Sequence, residues 1–153
     1  MTPLFAKLNL KDQKAVLVVN APPSFESELS ALRGVRIERD LKAAEEVAFA
    51  LSFVTKQSEV DALAKALPKK AVGDALVWFA YPKGTSKRYK CDFNRDTGWA
   101  ALGEAGFEPV RMVAIDEDWS ALRFRRVAFI PSMRRSPDRT LSKDGKALAQ
   151  RKR

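Results

Sequence analysis

Three stretches of the chain are almost continuously apolar and rich in β-branched or aromatic residues. They are KAVLVVN at 14–20, VAFALSF at 47–53 and ALVWFAY at 75–81. None of them alternates apolar with polar positions, and strands that are apolar throughout are typical of a sheet covered on both faces. The pattern therefore predicts three buried, parallel strands.

Helical patterns lie between and after these strands. Ser24 and Ser58 each stand just before an amphipathic run, where an N-cap serine is favoured, and Asp40 precedes a shorter run. A further helix is expected around 95–105, with Gly106 as the glycine that ends it. Strands that alternate with helices indicate an α/β fold with a mainly parallel sheet and helices on both faces.

The last apolar segments predict a β-hairpin. Residues 107–116 and 120–130 form two strand patterns joined by a tight link, and the second alternates apolar residues with arginines, so we expect it to be half exposed and near an edge. The sequence thus predicts, for residues 1–130, a three-layer Rossmann-like α/β domain with a C-terminal antiparallel hairpin strand. Residues 131–153 have little apolar content and are expected to form a basic, flexible tail.

The positive charge of the chain is concentrated in two places. The formal net charge is +9, and residues 131–153 carry eight Lys or Arg against two Asp. The loop at 83–95 carries five Lys or Arg against one Asp, so the rest of the chain is close to neutral. Such asymmetry favours an anionic partner, although basic termini also keep many proteins soluble.

The composition excludes several kinds of site. Without histidine and with the single cysteine Cys91, the chain can build neither a histidine-based catalytic relay nor a zinc site of the usual ligands, and no internal disulfide. No apolar run is long enough to cross a membrane, and the first residues lack the pattern of a signal peptide. We therefore expect a cytoplasmic protein with no metal site and no membrane partner. The sequence names no cofactor.

The loop YPKGTSKRYK, which follows the third buried strand, is the most informative stretch for function. A glycine frees its backbone, two hydroxyl side chains follow, and lysines and an arginine add positive charge. Amides, hydroxyls and cations in one loop can hold a phosphate or a carboxylate, but the order of residues is not that of a P-loop. Cys91 lies in the same loop, where neighbouring cations would favour its thiolate.

The link of the hairpin supplies a second group of polar and aromatic residues. In a mainly parallel sheet, the loops at 20–24, 81–93 and 116–119 all fall at the carboxyl ends of strands, where this architecture binds ligands. A carboxylate of the link could pair with the basic loop, and its tryptophan could stack on a ligand. The candidate ligand-binding residues are Tyr81, Lys83, Thr85, Ser86, Lys87, Arg88, Asp116 and Trp119.

Several segments resemble known proteins. YPKGTSKRYKCDFNRD, AGFEPVRMVAIDEDWSALRFR and the opening LFAKLNLK resemble an uncharacterised bacterial family of short Rossmann-like domains over roughly residues 4–130. The order of elements is also similar to a shortened class I methyltransferase core. That resemblance implies S-adenosylmethionine as a cofactor, yet the turn NAPPSF after the first strand has two prolines and no glycine, and Glu38 or Asp40 is the nearest acid for a ribose.

Three functions follow from these patterns. The leading hypothesis is a protein that binds an anionic, phosphate- or carboxylate-bearing small molecule at the carboxyl ends of the strands. The first alternative is a divergent S-adenosylmethionine-dependent methyltransferase. The second is a nucleic-acid-binding accessory protein that uses the basic loop together with the tail.

Overall fold

The computed structural model describes residues 2–93 and 98–130, and within them a six-stranded sheet carries helices on both faces. The strands are β1 (Ala15–Val19), β2 (Arg36–Glu38), β3 (Val47–Phe53), β4 (Ala71–Pro82), β5 (Phe107–Ala114) and β6 (Trp119–Arg126). The helices are α1 (Pro3–Lys7), α2 (Glu26–Ser30), α3 (Gln57–Ala66) and α4 (Ala100–Glu104), and short 3₁₀ turns span Pro23–Phe25 and Val127–Phe129. The predicted tail at 131–153 lies outside the described residues, so its flexibility and the domain limit at 130 stay predictions.

The strand order confirms the predicted architecture. The order is β2-β1-β3-β4-β6-β5, with β2, β1, β3 and β4 parallel and β6 antiparallel to both of its neighbours. The carboxyl ends of β1, β3, β4 and β5 therefore lie along one edge of the sheet. The three loops expected at that edge, after β1, after β4 and after β5, are all found there.

Each face of the sheet carries its own apolar layer, which gives the predicted three layers. On one face Phe25 packs between Phe5 of α1 and Phe53 of β3, with ring centroids 6.0 and 4.9 Å away. On the other face α3 and α4 bury Leu63 and Leu102 against the sheet. Because β3 and β4 contribute side chains to both layers, their sequences are apolar at nearly every position.

The helix starts differ from the sequence prediction. Ser24 lies inside the first 3₁₀ turn, and α2 begins two residues later without a side-chain cap. The two prolines before Ser24 fix φ near the helical value, so the chain turns before the serine can cap it. Asp40 accepts a hydrogen bond from the Lys42 amide at 2.9 Å, but the segment forms a turn, not a helix.

Ser58 is not the N-cap of α3, because the helix already begins at Gln57. Glu59 supplies the missing acceptor: its Oε1 accepts hydrogen bonds from the amides of Thr55 at 2.9 Å and Lys56 at 3.1 Å. A glutamate in the first turn can reach back to free amides in this way, and its charge also suits the positive end of the helix.

The hairpin lies at one side of the sheet. The alternating pattern predicts β6 near an edge, and β6 lies next to the edge strand β5, between β4 and β5. β5 contains an irregularity between Pro109 and Arg111. A proline and a bulge are typical of an edge strand, because both hinder pairing with another chain.

Helix α4 is shorter than the expected 95–105, although Gly106 ends it as predicted, with φ at +90°. Residues 94–97 lie outside the described part of the chain. No helix among the described residues is long and apolar enough to span a membrane.

Candidate functional site

The point where the strand order reverses lies between β1 and β3. Ligands of open α/β sheets usually bind in the crevice at this point. Side chains of the protein itself make contacts beside this point: the Asn20 amide donates to Glu59 Oε2 at 3.3 Å, Pro22 is buried, and Phe25 packs on Phe53. These contacts leave less room at the usual ligand position of the fold.

A cavity of about 390 Å³ lies instead at the carboxyl end of β4, inside the basic loop. Backbone and side chains of one continuous segment form its wall. The lining residues are Tyr81, Pro82, Lys83, Gly84, Ser86, Tyr89, Lys90, Cys91 and Phe93. The volume is within the range of small-molecule sites in proteins.

The β5–β6 link holds this loop in place. The Lys83 amide donates to the Asp118 carbonyl at 2.8 Å, and the Ser86 hydroxyl donates to Asp118 Oδ1 at 2.9 Å. The same hydroxyl oxygen accepts from the Tyr89 amide at 3.1 Å, and the Tyr89 ring lies 4.8 Å from the ring of Trp119. The loop is thus held at Lys83, Ser86 and Tyr89 by contacts with Asp118 and Trp119.

The predicted site residues divide into three groups. Tyr81, Lys83 and Ser86 line the cavity. Thr85, Lys87 and Arg88 are exposed and do not line it. Asp116 and Trp119 have structural contacts, described next. The assignment of the whole set to a ligand stays a prediction.

Asp116 and Trp119 serve the hairpin. Asp116 Oδ1 accepts hydrogen bonds from the amides of Asp118 at 2.8 Å and Trp119 at 2.9 Å, which closes the link. Trp119 is only 3% exposed and packs edge-on against Phe53 at 5.1 Å. Its ring therefore supports the wall of the site through Tyr89 and presents no free face to a ligand.

The sequence prediction does not include six of the lining residues, which are Pro82, Gly84, Tyr89, Lys90, Cys91 and Phe93. Tyr89 and Lys90 carry the same aromatic and charge signals as the predicted residues, so the sequence contains a signal for them. Cys91 and Phe93 line the cavity only because the loop turns back towards α3, where the Asp92 amide donates to the Thr55 carbonyl at 2.9 Å. The local sequence does not predict that the loop turns back towards α3.

The cations of the loop have no carboxylate partner in the described part of the chain. The ion pairs found there join Arg36 to Glu38, Arg39 to Glu26 and Arg125 to Asp74. Asp92, the acid of the loop, accepts from the Gln57 amide at 2.7 Å, and Asp118 is bonded to Ser86. Asp92, Asp116 and Asp118 accept hydrogen bonds from amides or a hydroxyl, and neither Lys83 nor Lys90 forms an ion pair with a described carboxylate.

The thiol of Cys91 differs from the expectation. Burial, with a smaller contribution from the charge of Asp92, raises the pKa of Cys91 above its usual value. The prediction that neighbouring cations favour the thiolate is wrong, because partial burial against the loop removes water from the sulfur.

We therefore expect Cys91 to react slowly with iodoacetamide near neutral pH. The thiolate is the reacting form. Because the pKa is raised, Cys91 needs a higher pH than an ordinary cysteine to reach the same thiolate fraction. The rate of alkylation, followed by mass spectrometry over a pH series, should rise at higher pH in the folded protein than in the protein unfolded in urea. A folded protein that alkylates at lower pH than the unfolded chain would contradict this.

The comparisons with known proteins bear on the fold. The chain is similar to a possible exported protein from Bordetella parapertussis (12% identity, TM-score 0.53) and to TrmN from Thermus thermophilus (11% identity, TM-score 0.50), and each match covers 80% of this chain. N-methyltransferase NodS from Bradyrhizobium japonicum WM9 matches at 14% identity with a TM-score of 0.49, over 80% of this chain and 92% of that one. No protein-family model matches the chain, and no curated protein matches its sequence.

The likenesses to the Bordetella protein and to TrmN confirm the predicted Rossmann-like fold. Its sheet is mostly parallel with an antiparallel C-terminal pair. The chain spans 65% of the length of the Bordetella protein and 46% of TrmN. At identities this low, the likeness shows the fold alone.

Proposed function

We propose that the protein binds a small anionic molecule, bearing a phosphate or a carboxylate, in the cavity at the carboxyl end of β4. The observation that supports this most is the placement of Lys83 and Lys90 on the cavity wall with no carboxylate partner among the described residues. An ammonium group in a partly enclosed site attracts an anion more strongly than one in open solvent.

The remaining wall suits a ligand that also has an apolar or flat part. Tyr81, Tyr89 and Phe93 are the aromatic residues that line the cavity beside the two lysines. Aromatic walls with a few convergent polar groups are the usual composition of a ligand pocket. Gly84 leaves backbone accessible beside Lys83, and an added Cβ there would meet nothing within 4 Å.

Removal of the two cavity lysines tests the proposal. In a thermal-shift assay at constant ionic strength, pyrophosphate, AMP and citrate serve as probes, since a ligand at about 100 times its Kd stabilises the folded state by about 2.7 kcal/mol. We expect at least one probe to raise the Tm of the wild type. The Lys83→Gln/Lys90→Gln variant should bind that probe at least about tenfold more weakly, as for the loss of charge-assisted hydrogen bonds.

The matched control is Lys87→Gln/Arg88→Gln, which removes the same charge from the same loop outside the cavity. Binding through the cavity predicts a much smaller loss for this control. Equal losses in the two variants would mean that only the net charge of the loop matters, and a wild type that no probe stabilises would count against the proposal altogether.

Methyl transfer is the second candidate, and the fold is what favours it. The residues present do not fit S-adenosylmethionine well. The turn after β1 contains Pro22 and Pro23, which offer no amide donors. β2 ends at Glu38, level with Leu17, whereas β1 continues to Val19, so this acid stops short of the ligand edge.

A calorimetric titration with S-adenosylmethionine separates the two candidates. We expect no measurable heat and no change in Tm, because the turn after β1 lacks the glycines and the amide donors that would hold the cofactor. Saturable binding that survives in the Lys83→Gln/Lys90→Gln variant would instead favour the methyltransferase, since it would locate the cofactor away from the cavity at β4.

A further inference from the structure

Three arginines lie together on one face of the β5–β6 hairpin, away from the cavity. Arg111 of β5 is directly opposite Arg123 of β6, and Arg125 is two residues further along the same strand. Residues that pair across strands, and residues two apart in one strand, share a face of the sheet. Arg123 is also level with Trp78, four residues before the end of β4, so it lies about 13 Å from the cavity along the strand.

One arginine of the three is balanced by a carboxylate. The guanidinium of Arg125 donates to Asp74 through Nε, 2.9 Å from Oδ1, and through Nη2, 2.7 Å from Oδ2. Glu108 pairs with Arg125 across the two strands and so lies on the same face; it is 0% exposed and has an interaction of its own. The fork of Arg125 is therefore held in one orientation beside Arg123.

The other two arginines have no such balance. Neither Arg111 nor Arg123 forms a hydrogen bond or an ion pair with any described residue, and Nε of Arg123 is buried without an acceptor among them. Burial and the charges of Arg125 and Arg111 lower the pKa of Arg123, and Asp74 opposes them. Like charges directly opposite each other in a sheet are destabilising, and a buried donor without an acceptor adds to the cost.

We propose that Arg111 and Arg123 form a binding site for the phosphate backbone of a single-stranded nucleic acid. Two successive phosphates of the strand, one at each guanidinium group, would relieve the repulsion between the two arginines. Arginine is suited to this because its planar fork matches phosphate oxygens. Arg125 would stay on Asp74 and add to the local positive potential.

The open shape of this face favours a polymer over a small anion. Arg111 is exposed, and none of the cavities found in the described residues is lined by the three arginines. A free phosphate on an open surface gains little, whereas a polyanion adds weak contacts together and releases counterions. The lysines of the 83–90 loop lie beyond the Trp119 end of β6. A strand of a few nucleotides is long enough to reach them from Arg123.

Anisotropy of a fluorescein-labelled oligouridylate, titrated at several KCl concentrations, tests this site. The Arg111→Gln/Arg123→Gln variant should bind at least about tenfold more weakly than the wild type. Its slope of log K against log salt should be less steep by about 1.4, or about 0.7 for each phosphate of a single strand that the variant no longer neutralises. Pyrophosphate, titrated at matched ionic strength, tests whether a free phosphate compound binds the same site.

The control variant is Arg33→Gln/Lys42→Gln. It removes two exposed cations that flank β2, the strand at the other edge of the sheet. A smaller effect of this control supports the site, and an equal effect overturns it, because only net charge would then matter. Binding of pyrophosphate at the arginines without any binding of the oligonucleotide would also overturn it.

The single variant Arg111→Gln covers the case in which the double variant fails to fold. Arg111 is exposed and has no hydrogen bond or ion pair to lose within the described chain. We expect its slope to be less steep by about 0.7 and its Tm in low salt to be higher than that of the wild type, since one of two opposed charges is gone. An unchanged slope in this variant would overturn the proposal.

Discussion

Replacing Trp78 with alanine is expected to lower the free energy of unfolding by about 3–5 kcal/mol, the usual cost of emptying a buried aromatic site. Trp78 is 0% exposed, lies in the middle of β4 and contributes to the layer beneath α1. Its indole nitrogen also donates to the Leu8 carbonyl at 3.0 Å, so it ties the segment after α1 to the sheet. Urea denaturation followed by far-ultraviolet circular dichroism measures the change.

Phenylalanine at the same position separates packing from hydrogen bonding. Trp78→Phe keeps most of the apolar volume and should cost about 1–3 kcal/mol, because the Leu8 carbonyl loses its donor. The matched control is Trp99→Phe on the other face, where the buried indole nitrogen has no acceptor among the described residues. If Trp99→Phe costs as much as Trp78→Phe, the hydrogen bond to Leu8 contributes nothing and the tie to α1 is disproved.

Replacing Glu59 with alanine should cost about 2 kcal/mol, as for the loss of a helix cap and charge-assisted hydrogen bonds. One carboxylate joins three elements: Oε1 accepts from the amides of Thr55 and Lys56 at the start of α3, and Oε2 accepts from Asn20 after β1. Alanine would leave two amides without their acceptor and loosen the crevice at the switch in strand order. Urea denaturation measures this change as well.

Two variants sharpen the test of Glu59. Glu59→Gln keeps an acceptor oxygen for the amides and should lose less than half as much. Ser58→Ala should be within about 0.5 kcal/mol of the wild type, because Ser58 is exposed and lies inside the helix. A larger loss for Ser58→Ala than for Glu59→Ala would restore the serine as the cap and contradict the structure.

The position of the candidate site can be predicted from the sequence, but its full set of lining residues cannot. The position of the basic loop at the carboxyl end of β4 follows from the order of elements, and three of the predicted residues, Tyr81, Lys83 and Ser86, line the cavity there. Lys87 and Arg88 have the same chemistry as Lys83 but do not line it. Which cation faces inward depends on how the Asp118 carbonyl and carboxylate hold the loop, and the bond from Ser86 to that carboxylate spans 32 residues of the chain.

The hairpin gives a second example. The alternation of arginines in β6 predicts a half-exposed strand near an edge, and β6 lies beside the edge strand β5. The pattern does not predict that Arg123 lies opposite Arg111. The pairing depends on the register set by the link and by the irregularity at Pro109, which period-two patterns do not specify.

Local and periodic patterns in the amino-acid sequence are enough to specify the three buried strands, the α/β architecture with its two helical layers, and the edge of the sheet at which the basic loop lies. Continuous apolar runs, the breaks between them and the rule that parallel strands end on one side carry this information. The contacts at the point where the strand order reverses, the burial of Trp119 and the cavity at β4 arise only when the chain has folded. Each of these depends on contacts between distant segments, such as Asn20 with Glu59 and Trp119 with Phe53. The local sequence around these residues does not indicate which partner each one contacts.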